Sequence, residues 1–163
     1  MAEVERLLVA SMVRIEVEDP AGPDGRWCLE RYVAELAERF DGGFDPALSL
    51  PAAPSELVPP AGALLLARLR DRPVGCGALK FGAGGVAEIK RMWVSAEVRG
   101  LGLGRRILAE LERRAADAGV TTLRLETNRA LTEAIALYRR TGYREVEAFN
   151  DERYAHHWFE KRL

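Results

Sequence analysis

The sequence predicts a mixed α/β domain: one central, mostly antiparallel sheet of about six to seven strands, flanked by helices. Three observations predict it. Short turns separate three apolar runs between Leu64 and Val94, the pattern of an antiparallel meander. The apolar spacing then changes from the strand repeat to the helical repeat at Ile107. Glycine follows each helical stretch, at Gly42-Gly43, Gly119 and Gly142, where a helix commonly stops.

The elements follow in order. Val9 to Val17 is apolar with some alternation and reads as a first strand, ended by the turn cluster from Asp19 to Gly25. Leu29, Val33, Leu36, Ala37 and Phe40 recur at helical spacing, so Arg26 to Phe40 is an amphipathic helix. Asp41 to Pro60 holds Pro46, Pro51, Pro54, Pro59 and Pro60 and reads as a structured loop with one short helical turn near Ser55–Leu57. Leu64 to Leu69, Val74 to Lys80 and Ala87 to Val94 are the meander. Ile107, Leu108, Leu111, Ala115 and Ala118 share a helical stripe; Thr121 to Thr127 is a strand rich in β-branched residues. Leu131, Ala134, Ile135 and Tyr138 mark a helix over Arg129 to Arg140. Tyr143 to Ala148 and His156 to Lys161 read as two last strands around a polar loop, Phe149 to Tyr154.

Composition narrows the function classes. At 163 residues the chain has the length of one domain, 1–163. Lys+Arg 24 against Asp+Glu 25 gives a net charge of -1, which argues against a protein that coats nucleic acid, because that affinity needs excess cation. The longest apolar run, Ala61 to Ala67, is too short to cross a bilayer, and residues 1–12 carry Glu3, Glu5 and Arg6 rather than a secretory pattern. The expectation is a cytoplasmic protein with no membrane partner. Cys28 and Cys76 are far apart and form no CxxC, so neither a disulfide scaffold nor a thiolate metal cage is expected. His156 and His157, adjacent on a strand, point to opposite faces and make no metal pair.

The most informative stretch runs from Val94 to Ile107 and joins a strand to a helix. Gly100, Gly102 and Gly104 alternate just before the helix, with Arg99, Arg105 and Arg106 beside them. The first turn of a helix has N–H groups without partners, and its dipole favours an anion. Glycine lets the backbone approach a phosphate closely. Arginines at a helix N-terminus would be repelled by the dipole unless an anion sat there. The spacing fits neither GxGxxG nor a Walker A loop, which needs GK followed by Ser or Thr. A plain glycine-rich connection with solvated arginines is the alternative.

Arg99-x-x-Gly102-x-Gly104 resembles the acyl-CoA pyrophosphate loop of the GNAT N-acetyltransferase superfamily. The strand Ala87-Glu88-Ile89-Lys90-Arg91-Met92-Trp93-Val94 resembles the strand before that loop. Glu126-Thr127-Asn128 and the stretch from Ala134 to Tyr143 resemble its later motif. The likeness is strong over residues 74–143; the region up to Pro60 matches in element order only. It implies the GNAT acyl-CoA N-acyltransferase fold, acetyl-CoA as co-substrate, and a small-molecule or peptide amine as acceptor. Members of that superfamily are often dimers, so the resemblance allows a homodimer, although no self-complementary apolar stripe stands out.

The resemblance also implies roles. Pantetheine would run along the backbone of Met92, Trp93 and Val94, and the pyrophosphate would sit on the N–H groups of Arg99, Gly100, Leu101, Gly102, Leu103, Gly104 and Arg105. Tyr138 matches the tyrosine that donates to the leaving sulfur; it also falls on the apolar stripe of its helix. An alkylammonium has a pKa near ~10.4, so a base must take its proton. Glu88 is the first candidate and Glu126 the second, while a Glu88 paired to Lys90 would be structural. Asn128 would either cap the following helix or touch pantetheine or acceptor. Direct transfer in a ternary complex is the leading reading. An acyl-CoA-binding sensor without turnover is the alternative, and a nucleotide-binding protein unrelated to CoA lacks the spacings it would need.

Overall fold

The run Leu64-Leu65-Leu66-Ala67 has no polar position because the sheet it enters is covered on both faces, and all four residues are fully buried. A computed structural model describes residues 2–163. Its elements are α1 (Glu3–Ser11), β1 (Val13–Glu18), α2 (Pro23–Arg39), β2 (Gly62–Leu69), β3 (Arg72–Phe81), β4 (Val86–Val94), α3 (Leu103–Asp117), β5 (Thr122–Thr127), α4 (Thr132–Arg140), β6 (Arg144–Val146) and β7 (His157–Arg162). One sheet of 7 strands runs in the order β1-β2-β3-β4-β5-β7-β6. Every neighbouring pair is antiparallel except β4 and β5, which are parallel. This is the mixed, helix-flanked sheet expected from the sequence, with the meander at its centre.

Leu65, Ala67 and Leu79 face a large core completed by Ile107, Leu108 and Leu111 of α3, Leu123 and Leu125 of β5, and Phe159 of β7. A fully buried Leu or Phe contributes about 1.5–3 kcal/mol relative to an exposed one, so this face carries much of the stability. Leu64 and Leu66 face the other way, toward Cys28 of α2, Cys76, Ala78, Trp93 and Leu57. Leu57 belongs to a single 3-10 turn, Pro54–Leu57, so the proline-rich loop closes the second face of the sheet; a second such turn covers Pro46–Leu48.

The amino-terminal expectation is corrected. Residues 3–11 form α1, and the strand begins only at Val13. α1 buries no residue, so the apolar pattern carried no core signal. The helix is held at its ends. Glu3 and Glu5 lie in its first turn, and Arg106 of α3 donates to the carbonyls of Ala10 (2.8 Å) and Val13 (3.0 Å), a favourable cation at a helix C-terminus. Arg6 of α1 donates to the Gly100 carbonyl. α2 starts earlier than Arg26, at Pro23, where proline loses nothing because the first helical N–H has no partner. The last strands are shorter than expected, Arg144–Val146 and His157–Arg162.

Candidate active site

The site begins where two parallel strands part. β4 pairs with β5 only over Val86, Ala87 and Glu88 against Thr122, Leu123 and Arg124. From Ile89 onward that edge of β4 has no strand partner, and a wedge opens at the carboxyl ends of both strands, where open α/β sheets bind ligands. A bulge widens it. Cys76 pairs with Trp93 and Ala78 with Lys90, so Arg91 and Met92 together oppose Gly77. Arg91 takes a left-handed φ of 59°, and its carbonyl accepts from the Cys76 Sγ at 3.1 Å. A regular strand sends consecutive side chains to opposite faces. Here Lys90, Arg91 and Met92 line one cavity in succession.

On one side of the wedge lies a groove of about 430 Å³. Its floor is Met92, Trp93 and Val94; its walls are α2, α4, residues 98–100 and residues 102–105. Gly102 caps α3 with φ 75° and Gly100 has φ 82°, both left-handed, so the chain turns there without a Cβ penalty. The first intrahelical bond of α3 runs from the Arg106 N–H to the Gly102 carbonyl at 3.1 Å. The N–H groups of Leu103, Gly104 and Arg105 are therefore left for an outside acceptor, and α3 has no acidic residue in its first turn. A Cβ built at Gly104 would come to 3.4 Å of Leu137 across the groove, so glycine keeps the passage open. These features suit a diphosphate.

The arginines divide their work. Arg106 is spent on the end of α1. Arg99 is paired with Glu35 of α2 across the mouth of the groove. Arg39 of α2 reaches α4, donating to Glu133 at 2.7 Å and to the Ala130 carbonyl at 2.9 Å. Arg105 lines the groove with no carboxylate within 4.0 Å among the described residues. Leu101 packs its side chain against the core instead of lining the groove.

On the other side of the wedge lies a second cavity. Tyr32, Phe40, Phe44 and Tyr154 supply its aromatic wall, and Lys90, Arg91 and Glu126 its charges. Groove and cavity share Leu36, Met92, Leu131, Ala134 and Tyr138. Tyr138 is only 5% exposed and packs against Tyr143 and Phe159 at ring distances of 5.7 and 6.0 Å. Burial, then the neighbouring Tyr32 and Glu126, push its phenol well above the ordinary value, so it stays a protonated donor.

The three carboxylate and amide candidates separate. Glu126 lines the cavity, 9% exposed; its Oε1 accepts from the Lys90 Nζ at 2.8 Å, and its Oε2 is the one buried side-chain polar atom without a partner among the described residues. Glu88 lines neither cavity. It is paired to Lys90 at 3.2 Å and lies in register with Lys80 and Arg124, a structural setting. Burial works against the Lys90 ammonium, but Glu126 and Glu88 outweigh it and hold its pKa above the ordinary lysine range. Asn128 does not cap α4, whose cap is Leu131; it lines the second cavity and not the groove. Its Oδ1 accepts from the Ala130 N–H at 2.9 Å and its Nδ2 donates to the Tyr154 carbonyl at 2.7 Å, so both ends fix the turn before α4 and the 150–155 loop.

No sequence signal singles out Tyr32, which falls outside the set of apolar residues that marks α2, and the sequence points to Lys90 only as a partner for Glu88. The cysteines line neither cavity, and contact with Cys28 together with burial pushes the Cys76 thiol upward, which keeps it protonated and a poor nucleophile. Among the described residues no helix is long and apolar enough to cross a membrane, and no group of three or more His, Cys, Asp or Glu could hold a metal.

Residues 29–143 match the profile of the Acetyltransferase (GNAT) family. An IAA acetyltransferase from Azospirillum brasilense is 38% identical over 126 residues, covering 74% of this chain and 82% of that protein. Among solved structures, a Klebsiella pneumoniae protein provisionally described as an acyl-CoA N-acyltransferase superposes with a TM-score of 0.78 at 31% identity, over 94% of this chain and 99% of that one. A GNAT acetyltransferase from Elizabethkingia anophelis with acetyl-CoA bound shares the fold, with a TM-score of 0.63 at 17% identity over 93% of this chain and 99% of that one.

Proposed function

The chain belongs to the GNAT acetyltransferase family, and from that premise we propose that it moves an acetyl group from acetyl-CoA directly to a primary amine, with both substrates bound together. One observation carries the reading: a groove suited to a diphosphate and a charged, aromatic-walled cavity meet at the buried Tyr138. When bound, the thioester supplies an activated acetyl group and a thiolate leaving group.

The chain's own residues do the rest. The N–H groups of Leu103, Gly104 and Arg105 hold the diphosphate, each charge-assisted bond contributing about 1.5–3 kcal/mol. Arg105 adds charge, and Arg99 exchanges Glu35 for a phosphate oxygen. The unpartnered edge of β4 at residues 92–94 holds the amide arm in the wedge. Such positioning alone accounts for about 7–11 kcal/mol of barrier in favourable cases. Glu126, through Oε2, takes the proton that the acceptor ammonium must lose. The acceptor nitrogen bonds to the acetyl carbon as the carbon–sulfur bond breaks, and the Tyr138 hydroxyl passes its proton to the departing sulfur. The proton that the nitrogen sheds on forming the amide restores the Tyr138 phenol, directly or by way of solvent, and Glu126 releases the first proton to solvent, so the products are the N-acetylated acceptor, the free thiol and one proton. Glu88 is left with the structural task of holding Lys90.

Incubation with acetyl-CoA and a panel of primary amines, followed by free thiol release, tests the reading. Amine-dependent release is expected. Tight acetyl-CoA binding without release across the panel, or no binding at all, contradicts it.

A further inference from the structure

We infer that the acceptor is an α-amino acid with an aromatic or large apolar side chain, its ammonium on the Oε2 of Glu126 and its carboxylate on the guanidinium of Arg91. This rests on the acetyl-transfer reading and narrows its substrate.

The charge inventory of the acceptor cavity is the first argument. Its carboxylates are Glu126 and Glu152. Glu152 is fully engaged, accepting from the Ser49 hydroxyl and from the N–H groups of Leu50 and Tyr154, so it only ties the loops together. Glu126 has one oxygen committed to Lys90 and the other orphaned. A buried carboxylate oxygen without a donor carries an uncompensated desolvation cost, which a bound ammonium removes. The cations are Lys90, held by Glu88 and Glu126, and Arg91. Arg91 has no carboxylate within 4.0 Å among the described residues; its guanidinium lies 5.6 Å from the centre of the Tyr32 ring. The cavity therefore offers one unspent anionic atom and one unspent cation. That pattern fits a zwitterion. A polyamine or other polycation would meet Arg91, which has no compensating carboxylate among the described residues.

The second argument is placement. Arg91, Glu126 and Tyr32 line the same cavity, and the Arg91 guanidinium lies over the Tyr32 ring. The bulge brings this about. Without the left-handed turn at Arg91, its side chain would point to the opposite face of the sheet from Lys90 and leave the cavity. A left-handed arginine costs backbone energy that a site can hold in place. The third argument is the wall: Phe40, Phe44 and Tyr154 form a ring cluster with centroids 4.8 to 6.0 Å apart, a surface for an apolar or aromatic side chain.

The experiment compares L-phenylalanine, L-phenylalaninamide, phenethylamine, L-serine and spermidine as acceptors by acetyl-CoA-dependent thiol release. The free amino acid is expected to exceed its amide in kcat/KM by about 10-fold or more, the scale of one lost charge-assisted bond. L-Phenylalanine is expected to exceed L-serine, and spermidine to rank last. Arg91→Met is expected to remove most of the acid-over-amide preference, chiefly through KM, and Arg91→Lys to restore part of it. Equal rates for acid and amide, or a preference for spermidine, overturn the inference while leaving acetyl transfer standing. Release with none of the five alongside release with other amines also overturns it. Release with no amine whatever overturns both. If Arg91→Met does not fold, the wild-type ranking of acid against amide decides alone.

Discussion

The groove at the start of α3 and the cavity beyond Tyr138 are built by different means. Backbone makes the groove: three N–H groups, two left-handed glycines and one strand edge, all within residues 92–105. Side chains make the cavity, from segments far apart: Tyr32 to Phe44, Lys90 and Arg91, Glu126, and the 152–155 loop. A backbone site binds a group common to many reactions. A side-chain site can be retuned one residue at a time, and the proposed reading puts acceptor choice there.

Substitutions that act on one region and spare the other sharpen this contrast. The largest effect is expected at the junction. Tyr138→Phe should lower kcat by about 10²–10⁴-fold, the usual range for a lost general acid, with acetyl-CoA affinity nearly unchanged in calorimetry. Unchanged turnover would remove Tyr138 from the chemistry. Lys90→Met comes next. It strands the buried Glu126 carboxylate and should lower unfolding free energy by about 3–5 kcal/mol, read from denaturant curves. The wild type adds a pH signature. Because the folded pKa of Lys90 is raised, its contribution to stability is complete below the ordinary lysine value near ~10.4 and is lost as pH rises through the higher folded value. Melting points of wild type and Lys90→Met should therefore converge only in strongly alkaline solution; convergence near neutrality would break the ion-pair account.

Gly102→Val should weaken acetyl-CoA binding about 10-fold while leaving the cavity intact, since a β-branched residue at φ 75° costs about 1–2 kcal/mol and shifts the N–H groups. Equal affinity would mean the diphosphate lies elsewhere. The smallest effect is at the mouth of the groove. Glu35→Gln frees Arg99 from a partly exposed pair, and such pairs contribute about 0.2–1 kcal/mol, so acetyl-CoA should bind a few-fold tighter, whereas Arg99→Gln should weaken it. Opposite signs in the two variants are the test.

The same contrast explains what the sequence made legible. Alternating glycines next to an amphipathic stripe are a local pattern, so the spacing of Gly100, Gly102 and Gly104 is enough to read a phosphate turn. The central strands were legible because their burial is written as apolar runs. α1 was not, because it buries nothing and depends on Arg106, about a hundred positions away in the chain. The sequence puts Glu88 ahead of Glu126 as the base, and only the folded arrangement, with Lys90 between them, tells the orphaned carboxylate from the paired one. Arg91 was hidden for a similar reason, since a bulge has no signature in a run such as Lys90-Arg91-Met92-Trp93.

A structure of the protein with acetyl-CoA tests the central claim most directly. The diphosphate is expected on the N–H groups of Leu103, Gly104 and Arg105, with the thioester sulfur within hydrogen-bonding reach of the Tyr138 hydroxyl. A ligand bound elsewhere, or a thioester remote from Tyr138, would contradict it.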